Sequence, residues 1–230
     1  MILKKIHYCW FGNGEKNKKV KKCIESWKKF CPDYEIIEWN EKNFDVNQNE
    51  YTKMCYSENK FAFLSDYARL IIIAENGGVY FDTDVQLIKP IDSLLENEAF
   101  FGFETDDYVN TGHGFGSVAN GTLVNAMVDE YTQILDGKHG VIGCPILNTE
   151  ALIKFGLIRN GEEQIIENSV ILPIDYMNPY ESTTGRLNKT ENTFSIHWYS
   201  GSWMTKGQLI RSTITKPIHR LFGNDALKKH

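Results

Sequence analysis

Asp82 and Asp84 stand two residues apart behind the run Gly77-Gly78-Val79-Tyr80-Phe81. On a strand, alternate side chains share a face, which predicts both carboxylates on one side, about 6–7 Å apart along the backbone. Two ionised carboxylates that close repel unless a cation or water separates them. A hard divalent ion such as Mn²⁺ or Mg²⁺ takes oxygen ligands and relieves the repulsion, and a bound diphosphate would complete its coordination. Asp-x-Asp alone is common in solvated turns. Here a helical run, a Gly-Gly turn and a β-prone stretch lead into it, and that context raises the signal. Asp66 and Arg69 lie three apart and so on one helical face, a spacing that by itself predicts only an ion pair worth roughly a few tenths of a kcal/mol. His197, closing the stretch Phe194-Ser195-Ile196, is as readily a structural histidine as a ligand.

The elements that must position these groups can be read from the pattern. Ile2 to Trp10 predicts a first strand running into the turn Phe11-Gly12-Asn13-Gly14. Asn17 to Phe30 has apolar residues at helical spacing, with lysines on the other face that are best read as solvated. Tyr34 to Trp39 predicts a second strand, Lys60 to Asn76 a helix capped by Gly77-Gly78, and Val79 to Val85 a strand through the acids. Further strands are expected over Glu98–Glu104, Gly112–Val118, Val170–Pro173 and Phe194–Trp198, and helices over Thr122–Leu135 and Pro145–Phe155. Strands alternating with helices argue for an α/β domain with a largely parallel central sheet, which binds ligands outside the carboxyl ends of its strands.

Composition narrows the classes. The 230 residues are 42% hydrophobic, enough for one sizeable core, and no Pro/Gly/Ser linker divides them. A formal net charge of -5 disfavours nucleic-acid binding. Five cysteines form no C-x-x-C pair, which leads to the expectation of reduced thiols in a cytosolic protein. The longest apolar run, Leu70 to Ala74, falls far short of the roughly 18 residues a membrane span needs. Basic residues from Lys206 to Lys229 could touch an anionic membrane surface peripherally, although a solvated tail is the better reading.

Phe63-x-x-Asp66-x-x-Arg69-x-x-Ile72 followed by Gly77-Gly78-Val79-Tyr80-x-Asp82-x-Asp84 resembles the signature of glycosyltransferase family 32. That group includes bacterial surface-polysaccharide glycosyltransferases, yeast initiating mannosyltransferases and the catalytic domains of clostridial glucosylating toxins. The resemblance extends to Ile6-His7-Tyr8-x-Trp10-Phe11-Gly12 and to His197-Trp198-x-x-Gly201-Ser202-Trp203, and so spans most of the chain. It implies a GT-A type, Rossmann-like single domain over residues 1–230. Residues 1–105 would form the nucleotide-sugar half, and 106–230 the acceptor half with a C-terminal lid.

The resemblance also implies roles. Trp10 matches the tryptophan stacked on the nucleotide base, Asp66 the acid at the nucleoside, and Arg69 the arginine near the ribose or sugar phosphate. Asp82 matches the acid contacting ribose and donor sugar, and Asp84 the more direct metal ligand. His197 takes the place of a third metal or phosphate ligand, and Ser202 and Trp203 match a loop that closes over the diphosphate. Relatives often carry Gly-Pro in the central region, but here Cys144 intervenes in Gly143-Cys144-Pro145, so no role carries over there. Thr111 to Gly116 reads as a pocket wall beside the donor sugar.

The implied activity is retaining, metal-dependent transfer from a nucleotide diphosphate sugar, with a UDP-sugar favoured, Mn²⁺ or Mg²⁺ as cofactor and a glycan or lipid-linked glycan as acceptor. It would serve bacterial capsular or other surface polysaccharide synthesis from the cytoplasmic side. Two readings compete: a nucleotide-sugar-binding protein without transfer activity, and a nucleotidyltransferase. The second would want a basic glycine-rich loop after the first strand, and Gly12-Asn13-Gly14-Glu15 makes a poor one.

Overall fold

The computed structural model describes residues 1–200 together with 207, 211, 215–217 and 219–221. Ser202 and Trp203 lie outside the described residues.

The chain alternates as the pattern predicts. Strand β1 (Lys5–Cys9) leads to helix α1 (Lys18–Phe30), β2 (Glu35–Trp39), α2 (Glu50–Ser57) and α3 (Phe61–Asn76). Then come β3 (Gly78–Tyr80), β4 (Val85–Leu87), β5 (Ala99–Thr105), β6 (Tyr108–Asn110) and β7 (Phe115–Ser117). Helices α4 (Thr122–Glu130) and α5 (Cys144–Ile153) precede β8 (Gln164–Ile166), β9 (Ser169–Leu172), α6 (Ile174–Met177) and β10 (Ser195–His197).

The central sheet has the order β2-β1-β3-β7-β5-β9-β8, with β6 paired to β5. Strands β1, β2 and β3 pair in parallel, as do β5 and β9, and β7 lies antiparallel between β3 and β5. β2, β1, β3, β5 and β9 therefore all point one way, and their carboxyl ends share one edge. This is an α/β fold with a mostly parallel sheet.

Side-chain alternation splits the core between the two faces. Phe100 of β5 joins Ile6, Val79 and Trp27 of α1 on one side, while Phe101 and Phe103 join Tyr80, α3, α4 and α5 on the other. Trp27 is fully buried and donates its indole N–H to the Val85 carbonyl at 2.8 Å, which ties α1 to the strand beyond the acids.

One expectation needs correction. Val79–Val85 is not a continuous strand: β3 ends at Tyr80 and β4 begins at Val85, with Asp82 and Asp84 in the turn between them. β3 belongs to the central sheet, whereas β4 pairs antiparallel with β10 in a separate two-stranded sheet. The chain has to leave one sheet for the other, and the Val85 N–H closes the turn on the Asp82 carbonyl at 3.0 Å. Gly112–Val118 likewise forms a strand only over Phe115–Ser117, and the Thr122–Leu135 helix ends at Glu130 and tightens into a 3₁₀ turn. β6 and β8 are too short to have shown a period.

Candidate active site

The carboxyl edge of the sheet opens into a cleft of roughly 970 Å³, lined among others by Trp10, Asp66, Arg69, Asp82, Asp84 and His197. Helix α3 presents Asp66 and Arg69 to it from one face. Gly77 ends that helix at φ 64°, its N–H bonded to the Ile73 carbonyl, and Gly78 follows at φ 105°. An added side chain at Gly78 would lie 3.0 Å from His7 Nε2 and from the Lys5 carbonyl, so only glycine brings the turn this close to β1. Trp39 donates its indole N–H to His7 Nδ1 at 3.0 Å, which leaves Nε2 as the protonated nitrogen that donates to the Gly77 carbonyl at 3.0 Å. Burial holds His7 down at about 4, so the imidazole is neutral and both its nitrogens are satisfied.

Arg69 ties the helix to the acidic turn. Its Nη2 lies 2.7 Å from Asp66 Oδ1 and 3.1 Å from Asp82 Oδ1, and the Tyr80 hydroxyl donates to Asp82 Oδ1 at 3.1 Å. Burial works against the Arg69 charge, but the two carboxylates hold its pKa well above the usual value. Arg69 is therefore more than half of an i,i+3 helix pair, because it bridges two elements. Its Nη1 is buried with no hydrogen-bond partner. A Cβ on Gly112 would sit 2.8 Å from Asp82 Oδ2 and 2.9 Å from Arg69 Nη1, so the bare glycine lets the backbone pack this close to both atoms.

On the other side of the turn, Asp84 Oδ1 meets His197 Nε2 at 3.2 Å, and the Ser200 N–H donates to Asp84 Oδ2 at 2.6 Å. β10 delivers His197 through its pairing with β4, in which His197 lies opposite Val85. Asp82, Asp84 and His197 each turn a ligand atom inward, all within 4.8 Å of one another. Burial pushes Asp82 up to about 6; Arg69 pulls against that rise, and the neighbouring Asp84 charge adds to it. Burial would raise Asp84 as well, but the His197 imidazole and the Ser200 N–H hold it well below the ordinary carboxylate range. Two carboxylates and an imidazole, one carboxylate held ionised against the like charge of the other, fit a divalent cation.

Trp10 lies at the end of β1, half-buried, with its indole N–H bonded to the Gly14 carbonyl at 2.6 Å and the Lys16 ammonium 5.4 Å from the ring. The structure thus brings Trp10, Asp66, Arg69, Asp82, Asp84 and His197 to one cleft. It also lines that cleft with residues the sequence did not single out for a role. Cys144 at the start of α5 is buried and donates to Asn110 Oδ1 at 3.4 Å, and Asn110 Oδ1 also accepts from the Gly112 N–H at 2.6 Å. Glu104, at the carboxyl end of β5, accepts from the Tyr199 hydroxyl at 3.0 Å. Its place at a strand's carboxyl end was the available signal, but the β5 run gives no sign of which strands lie beside it.

Residues 17–101 match the family model described as "Glycosyltransferase sugar-binding region containing DXD motif". That stretch holds Asp66, Arg69, Asp82 and Asp84 at the positions where the geometry gathers them. That match covers 85 of the 230 residues, and over it the chain is similar to DXD-motif glycosyltransferases. The chain is 25% identical over 154 residues to "Subversion of eukaryotic traffic protein A" of Legionella pneumophila, a match covering 55% of this chain and 22% of that protein. The chain therefore spans only about a fifth of the length of this curated relative. The solved structure titled "PaToxG Glycosyltransferase" superposes with a TM-score of 0.55 at 23% identity, over 66% of this chain and 68% of that one. The fold is the GT-A type.

Proposed function

We propose that the chain is a glycosyltransferase that performs retaining transfer of a hexose from a UDP-sugar, with a divalent metal, onto a glycan or lipid-linked glycan acceptor. The convergence of Asp82, Asp84 and His197 within 4.8 Å, in the same cleft as Trp10, carries this reading. Trp10 offers its ring to the uracil face. Asp66 holds the nucleoside, and Arg69, with its unpartnered Nη1, reaches the ribose or sugar phosphate. Asp82 contacts ribose and donor sugar. Asp84 and His197 would hold the metal with Asp82, and the family resemblance assigns Ser202 and Trp203 to the diphosphate. Residues 1–105 serve mainly the donor and 106–230 mainly the acceptor within a single domain, with His197 reaching across.

Mn²⁺ or Mg²⁺ bound there would supply Lewis-acid stabilisation of the charge that develops on the leaving diphosphate. The chain's own contribution is to fix that charge in place. Arg69 is held rigid by two carboxylates, and the Asp84 carboxylate stays ionised and oriented by the Ser200 N–H. No side chain is assigned as covalent nucleophile, and the leaving phosphate takes the acceptor proton in same-face attack. In the proposed setting the protein works on the cytoplasmic side in surface polysaccharide synthesis. Among the described residues no helix is long and apolar enough to cross a membrane.

Asp84→Asn keeps the size of the side chain and removes its charge. We expect turnover of the nucleotide sugar to fall by about 10²–10³ with secondary structure retained, as for loss of a major electrostatic group. Full activity in this variant, insensitive to chelator, would remove the metal from the reading. A panel of UDP-galactose, UDP-glucose and UDP-N-acetylglucosamine, screened with Mn²⁺ by thermal shift, identifies the donor.

A further inference from the structure

Four carboxylates line the cleft among the described residues: Asp66, Asp82, Asp84 and Glu104. The first two are bound to Arg69, and the third to His197. Glu104 has no cationic partner among the described residues. Its Oε1 accepts from the Tyr199 hydroxyl at 3.0 Å, and that hydroxyl in turn accepts from Asn178 Nδ2 at 2.7 Å. Tyr199 is held for this in the left-handed region at φ 48°, with its ring tilted against the His197 ring at 4.1 Å between centroids. A non-glycine residue in that conformation costs on the order of 1–3 kcal/mol and persists only where the surroundings impose it. Glu104 is thus a fixed carboxylate with Oε2 left over, and a carboxylate oxygen can only accept a hydrogen bond.

Its place in the sheet says what it would accept from. Trp10 follows β1, the acidic turn follows β3, and Glu104 is next to last in β5, with β7 between β3 and β5. At about 4.8 Å per strand, Glu104 lies some 14 Å along the edge from Trp10, on the far side of the acidic turn. A donor with its base on Trp10 and its diphosphate at Asp84 ends near β5, where the attacking molecule must enter.

We propose that Glu104 Oε2 anchors the acceptor by accepting a hydrogen bond from a hydroxyl next to the one that attacks, and that the acceptor is therefore a carbohydrate ring bearing neighbouring hydroxyls. The inference rests on the donor orientation given above. It assigns Glu104 no proton transfer and no bond to the sugar.

The test uses the full chain, whichever UDP-hexose the wild type hydrolyses, and methyl hexopyranosides as acceptors at tens of millimolar. For Glu104→Gln we expect the ratio of transfer to hydrolysis to fall at least tenfold, through a higher KM for the pyranoside, with the thermal shift caused by UDP and Mn²⁺ retained. Methyl pyranosides deoxygenated beside the attacking hydroxyl should lose their advantage in the wild type and not in the variant. A parallel fall in hydrolysis and transfer, loss of the UDP-induced shift, or an unaltered ratio overturns the assignment. So does a wild type that hydrolyses donor yet glycosylates none of the pyranosides. A wild type that neither binds nor hydrolyses any nucleotide sugar fails differently, because it removes the donor reading and this inference with it.

Discussion

Arg69 is the residue whose surroundings say most about the chemistry. The guanidinium is 2% exposed, with two carboxylates on Nη2, the Ser65 carbonyl accepting from Nε and no partner on Nη1, and the proposed function gives that last nitrogen a ligand. Gly112 packs closely against that nitrogen without crowding it. Gly112→Ala needs no unusual backbone, yet its methyl would press on Asp82 Oδ2 and Arg69 Nη1 from under 3 Å. We expect the KM for nucleotide sugar to rise at least tenfold while the denaturation midpoint moves little, measured by donor hydrolysis and urea titration. An equal loss of stability and activity would make Gly112 a packing residue.

Among the elements, the α3–β3 connection decides where the acids go, and His7 is the lock on it. Its neutral ring accepts from Trp39 and donates to Gly77; a second proton on Nδ1 would face the Trp39 N–H. Burial lowers its folded pKa from 6.5 to about 4, so the unfolded chain binds the proton first as pH falls. Stability linked to His7 is complete above pH about 6.5 and is lost as pH falls toward about 4. A shift of this size corresponds to on the order of 3 kcal/mol. Urea midpoints between pH 7.5 and 4.5 should show the loss, and His7→Gln, less stable at neutral pH, should show a shallower slope. The same slope in both proteins would place the titration elsewhere. Gly77 belongs to the same lock. At φ 64°, with an added Cβ 2.9 Å from the Ala119 N–H, Gly77→Ala should cost about 1 kcal/mol or more and lower the melting temperature.

The whole molecule couples its two sheets through the acidic turn. One acid faces the central sheet's helix α3 through Arg69, and the other faces the small β4–β10 sheet through His197. A cation held by all three ligands would therefore cross-link parts of the chain more than a hundred residues apart, and binding only the folded state would stabilise it by mass action. At about 100 times Kd the gain is about 2.7 kcal/mol, seen as a higher melting temperature with Mn²⁺ plus UDP that chelator reverses. His197→Ala should reduce that gain while leaving the apo melting temperature closer to wild type than Trp27→Ala does. The latter empties a fully buried site and should cost about 3–5 kcal/mol.

Local pattern was enough to find α1, α3 and α5, the alternation behind the α/β class, and the Asp82 and Asp84 pair, because periodicity and turn chemistry act over a few residues, whereas a role for Asp66 and Arg69 came only from the family resemblance. The pattern could not show that the acids sit in a turn, since the reason lies in β4 leaving for a strand over a hundred residues later. Nor could it separate an ion pair from a bridge at Arg69, or choose for His197 between ligand and filler. Those depend on which distant side chains arrive at the same edge. Glu104 shows the limit most clearly: a glutamate near the end of a strand is ordinary in sequence, and only the order β1-β3-β7-β5, with Tyr199 brought in from the far end, puts it across the acidic turn from Trp10. Short-range chemistry selects the groups, and long-range packing decides which of them meet.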